Sequence, residues 1–197
     1  MDLSAITVGE TLQHHLVENG FPADGGLSEK WGVVRVGPIP ICIPNIKARR
    51  RATPIHDLNH VLSGYGHDAI GEAEISAFEL GGGCKTYWVA WMLDWGALLL
   101  GISKPKRLFA AFVRGRRIGN LYGKDVEALL DRPFAHLRTE LGFDEKYQGN
   151  LADLIRFGGF LLLSPFVGAI AATPSILTSP LWLADGAYRQ RRAVVSS

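Results

Sequence analysis

The sequence predicts an all-α fold, and three observations carry that prediction. Beyond Pro54, glycine and proline divide the chain into segments whose apolar residues recur at helical spacing. β-Branched residues in an extended pattern are confined to residues 31–43. The chain has 197 residues, of which 47% are hydrophobic and 20% are charged, so it can bury one proper core.

The N-terminal elements are the least regular. Residues Ser4–Glu18 have an imperfect helical spacing of apolar side chains, and Phe21–Ser28 contains Pro22 and two glycines, which predicts a loop. The segment 31–43, WGVVRVGPIPICI, is interrupted by Gly37 and by prolines. This pattern favours short extended pieces that form one small hairpin.

The strongest helical signals follow. Glycine stands in several of the gaps between the predicted helices, as helix C-termini prefer. The segment Tyr87–Ile102, YWVAWMLDWGALLLGI, is apolar nearly all round, which predicts a helix that is buried or faces lipid. The predicted helices are Ile55–Gly64, Ala69–Gly81, Lys85–Ile102, Pro105–Leu121 and Val126–Leu141.

The C-terminal segment differs from the rest in hydropathy. No charged residue occurs between Phe157 and Ala184, and prolines interrupt this run. We predict two short helices that meet near Thr173–Pro174 as an apolar hairpin. Residues 1–150 then form a helical domain, and residues 151–197 form an apolar segment attached to a membrane. The alternative is a hairpin buried in the core or in a homodimer interface. Amphipathic aromatic residues stand near the end of the run and arginines follow it, as expected beside an anionic membrane surface: Trp182, Tyr188, Arg189, Arg191 and Arg192.

Charge and cysteine content exclude several classes of protein. The 21 Lys and Arg against 19 Asp and Glu give a net charge of +2, which predicts no nucleic-acid partner. Cys42 and Cys84 form no CxxC pair, so a disulfide framework and a zinc ribbon are not expected, and a reducing compartment is. The N-terminus has no basic region followed by an apolar run, which predicts no signal peptide.

Residues 54–79 hold the densest group of metal-ligand side chains. His56 and His60 are four residues apart, so a helix presents both rings on one face, and Asp57 can join them. If the chain turns at Gly64–Gly66, a second helix brings Glu72 back to face His60. Nitrogen and oxygen donors of this kind suit Zn²⁺, with Fe²⁺ or Mn²⁺ as alternatives. Two ordinary hydrogen-bonded core histidines are the competing interpretation.

Further titratable residues crowd the same stretch. Carboxylates packed together without compensation are costly, and a cation would relieve that cost. The crowd therefore favours a metal site between the two helices. These neighbours are His67, Asp68, Glu74 and Glu79.

The motif resembles the signature of the coenzyme Q biosynthesis protein 4 family, which is His-Asp-x-x-His, eleven residues, and Glu. Here it is formed by His56-Asp57-Leu58-Asn59-His60 and Glu72. The resemblance is closest to a bacterial branch and covers about residues 30–143, so the apolar C-terminal segment is additional. Softer matches are Val61-Leu62-Ser63-Gly64, Gly71-Glu72, Asn120-Leu121-Tyr122 and residues 134–142, FAHLRTELG.

The resemblance implies an all-helical, metal-dependent protein of ubiquinone or related prenyl-quinone biosynthesis. The family acts on a polyprenylated benzoate, whose ring carboxylate at C1 is removed and replaced by hydroxyl, and it also organises other biosynthetic enzymes. Glu74 or Glu79 would support the metal ligands, and the helix Tyr87–Ile102 would line a trough for the prenyl tail. The implied metal ligands and catalytic residues are His56, Asp57, His60 and Glu72.

Two other functions stay open at this point. One is a non-catalytic scaffold that binds prenyl lipid and holds the metal for structure alone. The other is a phosphohydrolase built on the His56-Asp57 pair, which would need an upstream His14 or His15 and the distant Asp94. For the quinone enzyme we expect residues 154–188 to hold the protein at the cytoplasmic face of the cell membrane.

Overall fold

A computed structural model describes residues 6–36, 39–181 and 183, and the side chains of these residues except 33–36 and 39–41. Helices dominate the described chain, which confirms the predicted all-α class. The elements in chain order are α1 (Val8–Glu18), β1 (Trp31–Val36), β2 (Ile39–Pro44), α2 (Lys47–Ser63), α3 (Ala69–Gly82), α4 (Trp88–Ala97), a 3-10 turn (Leu98–Gly101), α5 (Pro105–Ile118), α6 (Glu127–Leu130), α7 (Phe134–Glu140) and α8 (Leu151–Leu177).

The predicted small hairpin is confirmed. Strands β1 and β2 pair antiparallel, with Trp31 opposite Pro44 and Val36 opposite Ile39. Gly37 and Pro38, which join the strands, lie outside the described residues. After β2, only Asn45 and Ile46 separate the hairpin from α2.

Helix α2 begins at Lys47, eight residues before the predicted Ile55. The predicted start at Ile55 is wrong, because α2 continues through Pro54. Residues 47–52, KARRRA, are good helix formers, and the proline forfeits only one backbone hydrogen bond. At its other end α2 stops as predicted at Gly64, whose φ of 75° is easy only for glycine.

Helices α3 and α5 form the centre of the core and cross with their backbones in direct contact. A Cβ on Gly115 would lie 1.9 Å from the carbonyl oxygen of Phe78, and one on Gly81 would lie 2.2 Å from that of Phe112. Glycine is therefore required at both positions. The largest apolar side chains buried around the crossing are Phe78, Phe112, Phe143, Leu58, Leu62 and Ile75.

The single helix predicted over Val126–Leu141 is two helices, α6 and α7. Pro133 lies directly before α7. The residue that precedes a proline, here Arg132, disfavours helical geometry, so the helix is interrupted at this point. The backbone at this break is hydrogen-bonded to the segment before α1. Val8 N–H donates to the Arg132 carbonyl and Phe134 N–H donates to the Ile6 carbonyl, both at 2.9 Å. The segment before α1 is thereby joined to the linker between α6 and α7.

The apolar C-terminal segment is one long helix over Leu151–Leu177, and the predicted break near Thr173–Pro174 is wrong. Each proline forfeits one hydrogen bond, while the hydroxyls of Ser164 and Thr173 donate to carbonyls one turn back, at 2.8 and 3.0 Å. The helix ends at Thr178, and residues 179–181 and 183 are helical again. Trp182, Tyr188 and the arginines at 189–192 lie outside the described residues.

Helix α8 is attached along one face only. At its start, Asp153 accepts from Arg116 at 2.7 Å and from Arg117 at 2.5 Å. Farther on, the Trp95 indole donates to the Phe160 carbonyl at 2.9 Å, and Gly96 of α4 meets Gly168 closely. The opposite face is apolar and exposed. In the described residues α8 is the one helix long and apolar enough to cross a membrane.

Candidate metal centre

Helix α2 places two imidazoles side by side, as their spacing predicts. The Nε2 atoms of His56 and His60 are 3.1 Å apart, and the two rings meet edge to face. His60 is fully buried, whereas the His56 side chain is 25% exposed. The pair therefore has one enclosed member and one that solvent or a ligand can reach.

A tight turn brings Glu72 to this pair. The Asp68 carboxylate caps α3 by accepting from Gly71 N–H at 2.6 Å, and a Cβ on Gly71 would collide with the Gly66 carbonyl. The two Glu72 carboxylate oxygens then lie 3.7 Å from His56 Nε2 and 3.7 Å from His60 Nε2. One ligand atom from each of the three residues lies within 4.8 Å of the others, so the group could hold a metal ion.

Each of these three side chains is oriented by a further partner. His56 Nδ1 bonds to Glu79 Oε2 at 3.1 Å, and His60 Nδ1 bonds to the Tyr65 carbonyl at 3.0 Å. When each Nδ1 donates its proton to this acceptor, the Nε2 atoms present lone pairs to the cluster. Glu72 accepts from His67 Nδ1 at 2.9 Å. The donor set is therefore preorganised.

Asp57, the fourth predicted ligand, does not belong to this group. Its side chain is half-buried, and its Oδ2 lies 3.1 Å from where a Cβ on Gly25 would sit, beneath the loop after α1. Burial raises the pKa of Asp57 to about 6, against the opposing charges of His56, His67 and Arg49. Its role as a ligand stays a prediction.

Two further histidines, which helical spacing does not assign to the centre, lie beside it. His67 packs on His60 with ring centroids 4.2 Å apart, and its Nε2 lies 2.6 Å from His15 Nε2 on α1. The sequence signal for His67 is its place in the crowded 54–79 stretch. His15 gives no local signal, because only the tertiary fold brings α1 to this site.

Below His56 lies a buried polar network around Glu79. Besides His56, the Glu79 carboxylate accepts from Asn59 at 2.7 Å and from the Tyr122 hydroxyl at 3.2 Å. His56, Glu79 and Asp94 form a second group close enough to hold a metal ion. Of the two glutamates expected to support the ligands, only Glu79 touches one, because Glu74 pairs with Arg107 at 2.6 and 2.8 Å.

Burial and neighbouring charges shift the pKa values of the ligands in different directions. Burial lowers the pKa of His60 to about 3, and the His56 charge acts in the same sense. Burial would also lower the pKa of His56, but Glu79 and Glu72 outweigh it and raise that pKa well above its usual value. Burial would raise the pKa of Glu72, yet His56 and His67 hold it well below its usual range.

The residues that a phosphohydrolase would recruit lie in two different places around the motif. His15 bonds to His67, and Asp94 groups with His56 and Glu79. Neither of them joins the group of His56, His60 and Glu72. Comparison with known proteins finds no matching family model, no matching curated protein and no matching solved structure.

Proposed function

We propose that the protein is a metal-dependent enzyme of ubiquinone or related prenyl-quinone biosynthesis, acting at C1 of a polyprenylated benzoate by decarboxylation and hydroxylation. The observation that carries the proposal is the convergence of His56, His60 and Glu72 from two helices at one point. The motif that these residues complete is the one on which the family resemblance rests. Two imidazoles and a carboxylate favour Zn²⁺, with Fe²⁺ and Mn²⁺ as alternatives.

The arrangement supports catalysis better than a purely structural ion. Three protein ligands leave coordination positions open, whereas structural zinc sites are closed by four. The side chains of His56 and Glu72 are 25% and 24% exposed, so a substrate can approach from their side. A bound divalent ion would supply electrostatic stabilisation of carboxylate and phenolate oxygens. The chain itself fixes the donors and their tautomers.

Helix α8 supports location at a membrane, where a polyprenyl substrate resides. Its 27 residues span roughly 40 Å, which exceeds the ~30 Å hydrocarbon core of a bilayer. Burial against the protein accounts for little of its apolar surface. We place the protein at the cytoplasmic face of the cell membrane, where other quinone-biosynthesis enzymes or a second copy can meet it. Exposed apolar residues of α8 include Leu154, Ile155, Leu162, Phe166, Ile170 and Leu177.

The test is metal analysis of the purified full-length protein combined with mass spectrometry of co-purifying lipid. We expect about one divalent ion per chain, lost in His60→Ala, together with a polyprenylated aromatic acid. Metal without any aromatic lipid, and with phospholipid alone, would instead support the lipid-binding scaffold. Absence of bound metal under metal-replete conditions would contradict the proposed enzyme.

A further inference from the structure

A cleft of about 430 Å³, separate from the metal ligands, opens between the loop after α3 and the loop after α5. Its volume falls in the range of small-molecule sites. None of its lining residues belongs to the group of His56, His60 and Glu72. The residues of the lining that matter here are Lys85, Gly119, Asn120, Tyr122, Gly123 and Lys124.

The lining of the cleft is positively charged. Lys85 and Lys124 are both exposed, and no described carboxylate lies close enough to either ammonium group to form an ion pair. One weaker interaction exists: Arg132, the ion-pair partner of Glu140, lowers the pKa of that carboxyl, and Lys124 acts in the same sense. No residue of the lining is acidic. Two exposed ammonium groups at one concavity favour an anion over a neutral or cationic ligand.

The backbone of the second loop adds free donors. The N–H groups of Asn120 and Gly123 have no hydrogen-bond partner within the described part of the chain. Gly119 and Gly123 have φ values of 75° and 85°, in the left-handed region. The N–H groups of Leu121 and Tyr122 between them are hydrogen-bonded to the side chains of Asn59 and Asn120, so the loop offers two separate free donors. Free backbone N–H groups beside positive-φ residues are donors that proteins use to bind phosphate.

Lys85 has a backbone conformation that favours glycine. With φ at 50°, it is the one non-glycine residue with positive φ among those described. Gly81, Gly82 and Gly83 lie just before Cys84 and Lys85. Glycine would adopt the Lys85 conformation without strain, yet a lysine occupies the position. Its Cγ lies 3.4 Å from where a Cβ on Gly123 would sit, so the two loops meet there. A non-glycine residue held in this conformation motivates a functional hypothesis for its side chain.

The floor of the cleft is rigid. Asn120 Nδ2 donates to the Glu79 carbonyl at 2.9 Å, and the Asn120 side-chain oxygen accepts from Tyr122 N–H at 2.9 Å. Both side chains are buried, and the Tyr122 hydroxyl is held by Glu79. The loop that supplies the free N–H groups is thus fixed before any ligand arrives, which lowers the entropic cost of binding.

We propose that this cleft binds a phosphate-class anion, which Lys85, Lys124 and the backbone N–H groups of the second loop hold. Two sources share this chemistry, a free phosphate or phosphomonoester and the headgroup of an anionic lipid. An anionic lipid headgroup would be close to the cleft when α8 lies at a membrane. Trp91 connects the two, because its indole donates to the Lys85 carbonyl at 3.1 Å and its ring stacks on Phe160 of α8. The site is independent of the proposed quinone chemistry.

The proposal is tested by calorimetric titration of the full-length protein in uncharged detergent. The probes are inorganic phosphate and dihexanoylphosphatidic acid, with dihexanoylphosphatidylcholine as the lipid control. Lys85→Gln combined with Lys124→Gln is expected to weaken phosphate binding at least tenfold. The matched control is Lys30→Gln combined with Lys146→Gln, which removes the same charge from exposed positions outside the cleft and leaves the affinity unchanged.

A second variant separates binding from folding. Lys85→Gly relieves the backbone strain, so it is expected to raise the unfolding midpoint while it weakens phosphate binding. Titration in a His60→Ala background removes the metal centre as an alternative phosphate site, and the cleft's affinity should persist there. Phosphatidic acid binding tenfold tighter than phosphate assigns the lipid headgroup, and equal affinities assign the free anion.

Three results would overturn the proposal. One is unchanged phosphate affinity in the double lysine variant. Another is phosphate affinity that disappears with His60→Ala, which would assign the anion to the metal centre. The third is no measurable binding of either phosphate probe to the wild-type protein.

Discussion

His56 stands between two carboxylates, and each of its ring nitrogens faces a different one. Nδ1 bonds to Glu79, and Nε2 faces Glu72 and His60. A histidine whose Nδ1–H is held by a buried carboxylate is a better ligand through Nε2, because its tautomer and ring orientation are both fixed. At the residue scale, we therefore expect the metal affinity of the His56, His60 and Glu72 group to depend on Glu79, which lies outside that group.

Glu79→Gln is expected to weaken metal binding by about 10–100-fold. The amide cannot accept from His56, Asn59 and Tyr122 together, since one of its two ends is a donor. Competition titration with a chromophoric chelator measures the change. Glu74→Gln is the matched control, because Glu74 is buried on the same helix but pairs with Arg107. Equal losses in both variants would show a general effect of α3 rather than orientation of His56.

His60→Ala is expected to abolish stoichiometric metal binding, because it removes the most enclosed donor of the group. The loss should exceed the roughly 100-fold upper range of indirect effects. Asp57→Asn should reduce affinity less, since Asp57 lies outside the group of three. Elemental analysis after dialysis checks both variants, with the exposed His136→Ala as control. A loss in Asp57→Asn as large as that in His60→Ala would make Asp57 a fourth ligand.

The buried imidazole of His60 makes the metal-free protein sensitive to acid. Its pKa falls from 6.5 to about 3 on folding, so between these values the unfolded chain binds a proton that the folded chain excludes. The free energy of unfolding should therefore fall as the pH drops below 6.5 and be fully retained above it. His56, whose pKa is raised, acts oppositely: its contribution is present below 6.5 and lost as the pH rises through its raised pKa.

Urea unfolding of the metal-free protein at pH 7 and pH 5 measures this effect. His60→Asn should flatten the decline between the two pH values, while His136→Asn should leave it unchanged. A decline of wild-type size in His60→Asn would assign the acid sensitivity to other groups.

At the scale of elements, the crossing of α3 and α5 admits no side chain at its closest point. Gly115→Ala places a methyl group 1.9 Å from the Phe78 carbonyl, so the helices must separate. We expect a loss of about 1–3 kcal/mol in the free energy of unfolding, despite the better helix propensity of alanine. Gly159→Ala on α8 has no heavy atom within 4 Å and should be neutral or slightly stabilising. Chemical denaturation distinguishes the two, and equal effects would contradict the close crossing.

The spacing of apolar residues and glycines predicts where helices lie and where they end at glycine. It does not predict whether a proline interrupts a helix. Pro54, Pro165 and Pro174 all lie inside helices, where the surrounding turns and packing compensate for one lost hydrogen bond each. Pro133 does separate two helices, and there the freed backbone pairs with the segment before α1. Whether a proline ends a helix depends on tertiary partners, which sequence spacing does not contain.

The same limit applies to the candidate site. His56, His60 and Glu72 follow from helical spacing and a glycine turn, which are local features. His15 and Tyr122 reach the site through packing between distant elements, so no spacing rule finds them. His67 lies in the short connection between α2 and α3, and its place in the crowded 54–79 stretch is a local signal. Asp57 fits the spacing of the motif, yet its carboxylate lies outside the group of three ligand atoms.

For the molecule as a whole, the exposed apolar face of α8 is the feature on which the proposed membrane location rests. Leu162→Glu combined with Phe166→Glu puts charge on side chains that are 77% and 70% exposed, so packing against α4 is kept. We expect this variant to move from the membrane fraction to the soluble fraction with its metal content unchanged. Truncation after Asn150 should have the same effect on fractionation. Persistence of the charged variant in the membrane fraction would mean that α8 does not insert.

The backbone pairing of residues 6–8 with residues 132–134 has a consequence for how the chain folds during synthesis. Helix α1 is made first, but the strand-like segment before it has no partner until the linker between α6 and α7 has left the ribosome. Closing so large a loop has an entropic cost that local helices avoid. We expect α1 to be fully anchored only after that linker has been made. His56, His60 and Glu72 stand on neighbouring helices joined by a short turn, so we expect them to come together earlier on the nascent chain.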